Sequence, residues 1–326
     1  MSFLNQKVIL VTGGTGSFGR AFTKHVLKHF RPKKLIIYSR DEMKQHEMRK
    51  DFQNSCLRFF VGDVRDSNRL HQAFNGVDLV VHTAALKIVP TAEYNPFEVV
   101  KTNVIGSENV INAAINQKVD KVIALSTDKA ANPINLYGAT KLCAEKMLIA
   151  SNNYSPYGTK FAVVRYGNVF GSRGSVVPIF LECRKTGVVP ITDERMTRFW
   201  ITLDQGVRFV LRSLEEMTGG EIYVPKLPSL RVVDLAKAVC GNGRLKFKVI
   251  GIRPGEKIHE TLVTENERVY ATESKDRFVL RPPVIFQKKK LPKKISVGEI
   301  PSAYTSDKND LWLSVHEMKR MVEKEL

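Results

Sequence analysis

Val8-Ile9-Leu10-Val11-Thr12-Gly13-Gly14-Thr15-Gly16-Ser17-Phe18-Gly19 is the stretch that decides the fold of this chain. Its four leading residues are apolar on both faces, the pattern of a strand buried between helix layers in a parallel sheet. A helical pattern resumes at Ala21–His29. Between the two, Gly13, Gly16 and Gly19 permit a tight turn, close approach to a pyrophosphate and close helix–sheet packing. The backbone around Thr15, Ser17 and Phe18, at the positive end of the helix, is then placed to meet phosphate oxygens. A glycine triplet alone is weak evidence; the strand before it and the helix after it make it a dinucleotide fingerprint.

The same rhythm continues outward. Strands are predicted at Lys7–Thr12, Lys34–Ser39, Leu57–Asp63, Leu79–Ala84, Lys121–Thr127 and Phe161–Tyr166, with helices such as Ala21–His29, Asp41–Phe52 and Phe97–Gln117 between them. That alternation implies an α/β fold, a doubly wound parallel (Rossmann) sheet. After about residue 170 the pattern loosens, and Gly171–Val177 and Lys185–Asp193 are rich in turn formers. We therefore expect a dinucleotide-binding domain over 1–170 and a smaller α/β substrate-binding lobe over 171–326. The helical pattern at Thr202–Leu214 and the strand at Glu221–Val224 are candidates for a return to the first domain. Val315–Glu325 reads as a closing amphipathic helix.

Composition narrows the class. With 326 residues, 43% of them hydrophobic, the chain can bury a full core. No apolar run approaches the roughly 20 residues of a membrane span. A strand pattern within a few residues of Met1 leaves no room for a signal peptide, so the expected address is the cytoplasm. Cys56, Cys143, Cys183 and Cys240 are scattered, as reduced thiols would be. The net charge of +18 admits nucleic-acid binding or a basic surface that attracts a small polyanion. The cations are spread along the chain, and the one dense run, Lys288–Lys294, holds a proline and reads as a loop. We take the second reading and expect no nucleic-acid partner. His25 and His29 share a helical face without a third ligand, so no metal site is expected.

The second strand ends in Ser39-Arg40-Asp41, with Lys44 a turn further on. An acidic residue here would hold the ribose hydroxyls of NAD, whereas an arginine accommodates the 2′-phosphate of NADP. Arg40 with Lys44 favours NADP, and Asp41 keeps NAD open. Asp63 and Val64, after the third strand, are placed for adenine. Ala84 to Lys87, after the fourth, should approach the nicotinamide ribose.

Tyr137 and Lys141 stand at i and i+4, on one face of a helix. A phenol with a pKa near 10 becomes a usable base when cations favour its phenolate. Just upstream, Ser126-Thr127-Asp128-Lys129 closes the fifth strand, at the carboxyl edge where open α/β sheets bind ligands. An oxidoreductase needs only a hydroxyl there; Asp128 and Lys129 add an acid and a base.

Here the sequence resembles a known family. Thr12 to Gly19, Tyr38 to Glu42, Ala84 to Pro90, Ser126 to Ala131, Pro133 to Lys141, Arg165 to Pro178 and Arg253-Pro254-Gly255-Glu256-Lys257 look like the UDP-N-acetylglucosamine 4,6-dehydratases of the extended short-chain dehydrogenase type. The soluble, C5-inverting branch that opens pseudaminic acid biosynthesis is the nearest in pattern. Glu265–Lys294 is the least family-like stretch. The resemblance implies NADP as cofactor, UDP-N-acetylglucosamine as substrate and a homo-oligomer. It implies that Tyr137 deprotonates the 4-hydroxyl, Lys129 removes the C5 proton and Asp128 protonates the departing 6-hydroxyl. Lys87, Lys129, Asn168, Arg253 and Glu256 would bind the sugar nucleotide, with Arg253 a fork for the diphosphate. Two other readings stay open: a sugar-nucleotide 4-epimerase, which has no need of Asp128 and Lys129, and a non-catalytic NADP-binding regulator, which has no need of Tyr137.

Overall fold

A computed structural model describes residues 2–172, 176–241, 246–282 and 302–325. The Lys288–Lys294 run lies outside them. Seven strands make the parallel body of the large sheet: β1 (Val8–Thr12), β2 (Lys34–Ser39), β3 (Leu57–Val61), β4 (Leu79–His82), β5 (Lys121–Thr127) and β6 (Lys160–Tyr166) come from the first half of the chain, and Ile222–Pro225 joins later. The apolar run of β1 is buried throughout, as a strand with helices over both faces must be.

The remaining strands are β7 (Asn168–Val169), β8 (Val188–Ile191), β9 (Thr197–Ile201), β10 (Ile222–Pro225), β11 (Ser229–Arg231), β12 (Lys246–Val249), β13 (Thr261–Val263), β14 (Ala271–Glu273), β15 (Arg277–Leu280) and β16 (Tyr304–Thr305). The large sheet has nine strands in the order β14-β15-β10-β6-β5-β4-β1-β2-β3. β10 lies parallel to β6, and β15 and β14 follow antiparallel. The strand order reverses between β1 and β4, which opens a crevice at their carboxyl ends. This is a Rossmann-like architecture.

Three small sheets, β11-β9-β7, β12-β8 and β13-β16, build a second lobe. Its own core joins Phe170, Phe180, Trp200 and Leu235 to Met318 and Val322 of the closing helix Val315–Glu325. Helix Leu203–Glu216 instead packs against helix Ser17–His29 of the large sheet. It begins with a capping box between Thr202 and Gln205.

Two elements differ from the sequence pattern. Phe97–Gln117 is not one uniform helix: Pro96–Val100 and Gly106–Asn116 are α-helical, and Lys101–Ile105 between them is a π turn. The turn-rich stretch after Gly171 gives way to a helix, Val176–Thr186, which carries Pro178 in its first turn, where the missing N–H costs nothing.

The two lobes are tied by one buried cation. Arg165 of β6 is fully buried. Its guanidinium bonds Glu145 through Nε (3.0 Å), Glu267 through Nη1 (2.8 Å) and Nη2 (2.9 Å), and the Leu262 carbonyl (3.0 Å). Replacing Arg165 with Leu would leave two buried carboxylates without their counter-charge. The expected loss of stability is about 3–5 kcal/mol, read by urea unfolding; a loss below about 1 kcal/mol would show that the network is not a structural anchor.

Candidate active site

The crevice at the β1–β4 switch is a cleft of about 860 Å³. Its floor is the glycine turn. Gly13 adopts φ +65°, and a Cβ there would stand 2.9 Å from the Ala84 backbone. Gly16 N–H donates to the Gly13 carbonyl at 2.9 Å, closing the turn. Gly16 gives the helix that follows no capping side chain, and its first turn carries no acid. The positive end of that helix is thus available to an anion. Gly13, Thr15, Gly16, Ser17, Phe18 and Gly19 all line the cleft. A side-chain-free cradle under a helix dipole fits a dinucleotide pyrophosphate.

Buried hydrogen bonds hold this floor. Thr12 Oγ1 accepts from the N–H groups of Thr83 (3.1 Å) and Ala84 (3.3 Å). Its own proton therefore goes to His82 Nδ1, 2.7 Å away. Ser107 Oγ donates to the Asn103 carbonyl, so His82 Nε2 must be the protonated nitrogen and donates to Ser107 at 3.2 Å. Burial, then the Lys141 charge, pushes the imidazole down to about 3, which keeps it neutral. Asn103 sits in the π turn and brackets the loop after β4, accepting from Leu86 N–H (2.8 Å) and donating to its carbonyl (2.9 Å). Alternation of polar and apolar residues gives no sign of a π turn, so sequence reasoning missed Asn103.

At the far end of the nucleotide half, Ser39, Arg40, Asp41, Lys44, Asp63 and Val64 line the wall. Buried Gln45 orients Ser39 through its carbonyl (2.9 Å) and hydroxyl (3.1 Å). Asp41 caps helix Glu42–Asp51, accepting from Lys44 N–H at 3.0 Å, and its second oxygen pairs with the Lys44 ammonium. Both oxygens of that carboxylate are therefore engaged. Arg40 is over half exposed and reaches toward Asp63 at 3.7 Å.

Chemistry collects at the end of β5. Ser126 turns inward and donates to Glu145. It is Thr127 whose hydroxyl lies in hydrogen-bond reach of the Tyr137 phenol. Thr127 also bonds Asp128 Oδ1 at 2.9 Å. Asp128 opens the 3₁₀ turn Asp128–Ala130 and is buried, with Lys129 Nζ 3.0 Å from Oδ1 and no partner for Oδ2 among the described residues. Burial, followed by the charge of Glu260, raises the Asp128 carboxyl above its ordinary range. Burial works against the Lys129 ammonium, but Asp128 and Glu260 outweigh it and raise its pKa.

Tyr137 and Lys141 project from helix Leu136–Ser151, whose cap Asn135 accepts from Gly138 N–H at 2.8 Å. Burial pushes the Tyr137 phenol up to about 12, and the main opposing charge is Lys129. Lys141 was expected to supply that charge. It lies deeper instead, close to Glu145 and His82, and burial lowers its own pKa to about 8.

The second lobe closes the cleft. Asn168, in β7 opposite Trp200 of β9, faces the site. Lys87 stands close to Lys129, and burial followed by that neighbouring charge lowers its pKa. Arg253 Nε pairs with Glu256 Oε1 at 3.1 Å, leaving Glu256 Oε2 buried and unpartnered among the described residues. Asn135 Nδ2 donates to the Gly255 carbonyl at 2.8 Å, joining this loop to the tyrosine helix. Every residue expected from sequence thus lines one cleft, except Asp128, which lies beneath it. Arg198 and Glu260, which also line it, were missed because each is an isolated polar residue, one within β9 and the other just before β13.

Residues 9–282 match the family model described as polysaccharide biosynthesis protein. The chain belongs to that family. It is 50% identical, over 98% of both chains, to a Campylobacter jejuni subsp. jejuni serotype O:2 protein named UDP-N-acetylglucosamine 4,6-dehydratase (inverting). It is also 46% identical to a Rickettsia conorii protein named UDP-glucose 4-epimerase, over 83% of this chain and 82% of that one. Among solved structures, Pen from Bacillus thuringiensis superposes with a TM-score of 0.89 at 35% identity, covering 99% of this chain and 98% of that one. Relatives of this chain thus carry both dehydratase and epimerase names, and the site has to discriminate between them.

Gly138 offers a test of how rigidly the site is built. A Cβ at that position would collide with the Lys129 carbonyl. Gly138→Ala is expected to displace the Asp128–Ala130 turn and lower turnover about 10²-fold, while nucleotide binding at the glycine turn persists. Unchanged turnover would show that helix and turn are not locked together.

Proposed function

We propose that this protein is a cytoplasmic, NADP-dependent UDP-N-acetylglucosamine 4,6-dehydratase that inverts C5, yielding a UDP-4-keto-6-deoxy-N-acetylhexosamine. The observation that carries this reading is the Asp128–Lys129 pair at 3.0 Å, with Lys129 and Tyr137 lining one cleft and Asp128 directly beneath it. A 4-epimerase needs the tyrosine but no second acid and base. A regulator needs none of the three.

Gly13, Thr15, Gly16, Ser17, Phe18 and Gly19 would hold the pyrophosphate, Asp63 and Val64 the adenine, and Ala84, Lys87 and Lys141 the nicotinamide ribose. A nicotinamide cofactor held there would supply a hydride acceptor for C4 and a donor for C6. Tyr137 Oη, as phenolate, accepts the 4-hydroxyl proton, and the resulting ketone acidifies C5. Lys129 Nζ then removes the C5 proton while Asp128 protonates the departing 6-hydroxyl, which leaves as water. Both groups reach the required state by one proton passing from Lys129 to Asp128 across their contact. Elimination regenerates the ion pair, because Lys129 has gained the C5 proton and Asp128 has lost its own. Tyr137 Oη delivers its proton to C5 from the opposite face, which inverts that carbon and restores the phenolate. General acids and bases of this kind contribute about 10²–10⁴-fold each.

Asn168, Arg253 and Glu256 would hold the UDP moiety. Arg253 suits a diphosphate fork, and the unpartnered Glu256 oxygen suits a donor on the nucleoside. NADP is favoured because the cap and the Lys44 pair occupy the Asp41 carboxylate that NAD would need, while Arg40 remains exposed. No helix among the described residues is long and apolar enough to cross a membrane, and no disulfide joins the four cysteines among the described residues, as a reducing cytoplasm favours. The exposed side chains of Tyr94, Phe97 and Ile105 support a homo-oligomer.

Incubation with UDP-N-acetylglucosamine in D₂O is expected to give a product lighter by one water, with deuterium at C5 and inverted geometry by NMR. Isomerisation at C4 without loss of water would establish the epimerase reading instead. Lys129→Ala should lower turnover at least about 10²-fold; wild-type turnover in that variant would remove the elimination step from Lys129. Arg40→Ala is expected to weaken NADP binding about tenfold or more and to leave NAD nearly unaffected, as read by titration calorimetry.

A further inference from the structure

Glu260 belongs to no motif, yet it is one of the most deeply placed charges in the protein. It immediately precedes β13, in the second lobe, and its side chain is 2% exposed. Oε1 stands 3.2 Å from Lys129 Nζ and 3.6 Å from Arg198 Nε, and Oε2 is buried without a hydrogen-bond partner among the described residues. The residue is fixed through its backbone: its N–H donates to Ser306 Oγ at 2.9 Å, and its carbonyl accepts from Ser306 N–H at 2.8 Å. His259, next to it, turns away toward Thr197 Oγ1 at 2.9 Å.

The charges around Lys129 explain why a carboxylate is needed there. Lys87, Arg198 and Lys257 crowd the same end of the cleft. Arg198 is pinned by the carbonyls of Thr197 (2.7 Å), Ile258 (3.0 Å) and Lys257 (3.0 Å), and Lys257 Nζ by the Ala131 carbonyl at 2.6 Å. Tyr137 completes the set facing Lys129. Three neighbouring cations, two of them pinned, drive protons off a nearby amine and carboxyl alike. Asp128 alone opposes them on the β5 side. With the Asp128–Lys129 pair stripped of its proton, nothing would remain to protonate a leaving hydroxyl.

We propose that Glu260 is a positioning residue of the acid–base centre, a counter-charge from the second lobe that keeps one shared proton within the Asp128–Lys129 pair. The role in turnover rests on the dehydratase reading; the proton-holding role does not. Burial opposes the Glu260 charge, but Lys129, Arg198 and Lys257 hold its carboxyl below the ordinary range, so it remains an anion while Asp128 takes the proton.

The test is Glu260→Gln, which keeps the shape and removes the charge. In protein carrying ¹³C,¹⁵N-lysine, the Lys129 ammonium is titrated by NMR, with Lys129→Ala supplying the assignment. Its pKa is expected to fall by about one unit or more in Glu260→Gln, to recover in Glu260→Asp, and to rise in Arg198→Met. The alkaline limb of kcat against pH should move down by the same amount, with KM for UDP-N-acetylglucosamine within about twofold. A Lys129 pKa unchanged in both Glu260→Gln and Arg198→Met overturns the proposal, as does an activity loss uniform across pH. If Glu260→Gln fails to fold, Arg198→Met and Glu260→Asp carry the decision. If the wild-type enzyme removes no water, the NMR titration still decides the proton-holding role, and only the functional reading falls.

Discussion

The guanidinium of Arg165, buried between Glu145 and Glu267, is the contact on which the active geometry depends. Burying an arginine is tolerable only when its donors are met by carboxylates and carbonyls in fixed positions. Here those partners come from two places: Glu145 on the helix that carries Tyr137 and Lys141, and Leu262 and Glu267 in the segment just past Glu260. One side chain thereby sets the distance between the tyrosine helix and the second lobe. Ser126, donating to the same Glu145, brings the end of β5 into the same frame.

From that frame follows the division of labour in the cleft. The large sheet supplies a neutral, hydrogen-bonded floor, in which His82 stays uncharged beneath the glycine turn. The end of β5 supplies a carboxyl and an amine, and the helix Leu136–Ser151 brings a phenol within reach of them. The second lobe supplies charge, through Arg198, Lys257 and Glu260, and thereby sets which of those groups hold protons. Relatives named as dehydratases and as epimerases resemble this chain over most of its length, as expected when one nucleotide-binding sheet serves differently charged reaction centres.

Much of this was legible in the sequence because it is local. The β1 apolar run, the Gly13–Gly19 turn and the Tyr137–Lys141 spacing each announce their geometry within a few residues, and the seven parallel strands lie close to where the pattern put them. What escaped depends on distant partners. Thr127 and Ser126 are adjacent hydroxyls, and only the position of Glu145 decides which is drawn away and which is left to meet Tyr137. Lys141 has the right spacing to favour the Tyr137 phenolate, but its surroundings turn that charge toward Glu145, and Lys129 takes the part. Glu260 and Arg198 carry no motif at all; their meaning arises when residues 260 and 198 meet residue 129. The π turn that seats Asn103 leaves the apolar pattern almost unchanged.

The route of the chain through the large sheet bears on how the protein is made. β6 is the last strand that the first 170 residues give to the large sheet, and its neighbour β10 arrives more than fifty residues later, with β15 later still. A nascent chain that has produced only the nucleotide-binding half therefore presents β6, with Phe161, Val163 and Val164, as an unpaired apolar edge. Arg165 waits on that edge without Glu267 until the second lobe has been threaded. During synthesis, protection from mispairing must come from the ribosome-bound state or from chaperones, and a premature stop before β15 would yield a chain primed to associate rather than a smaller working enzyme.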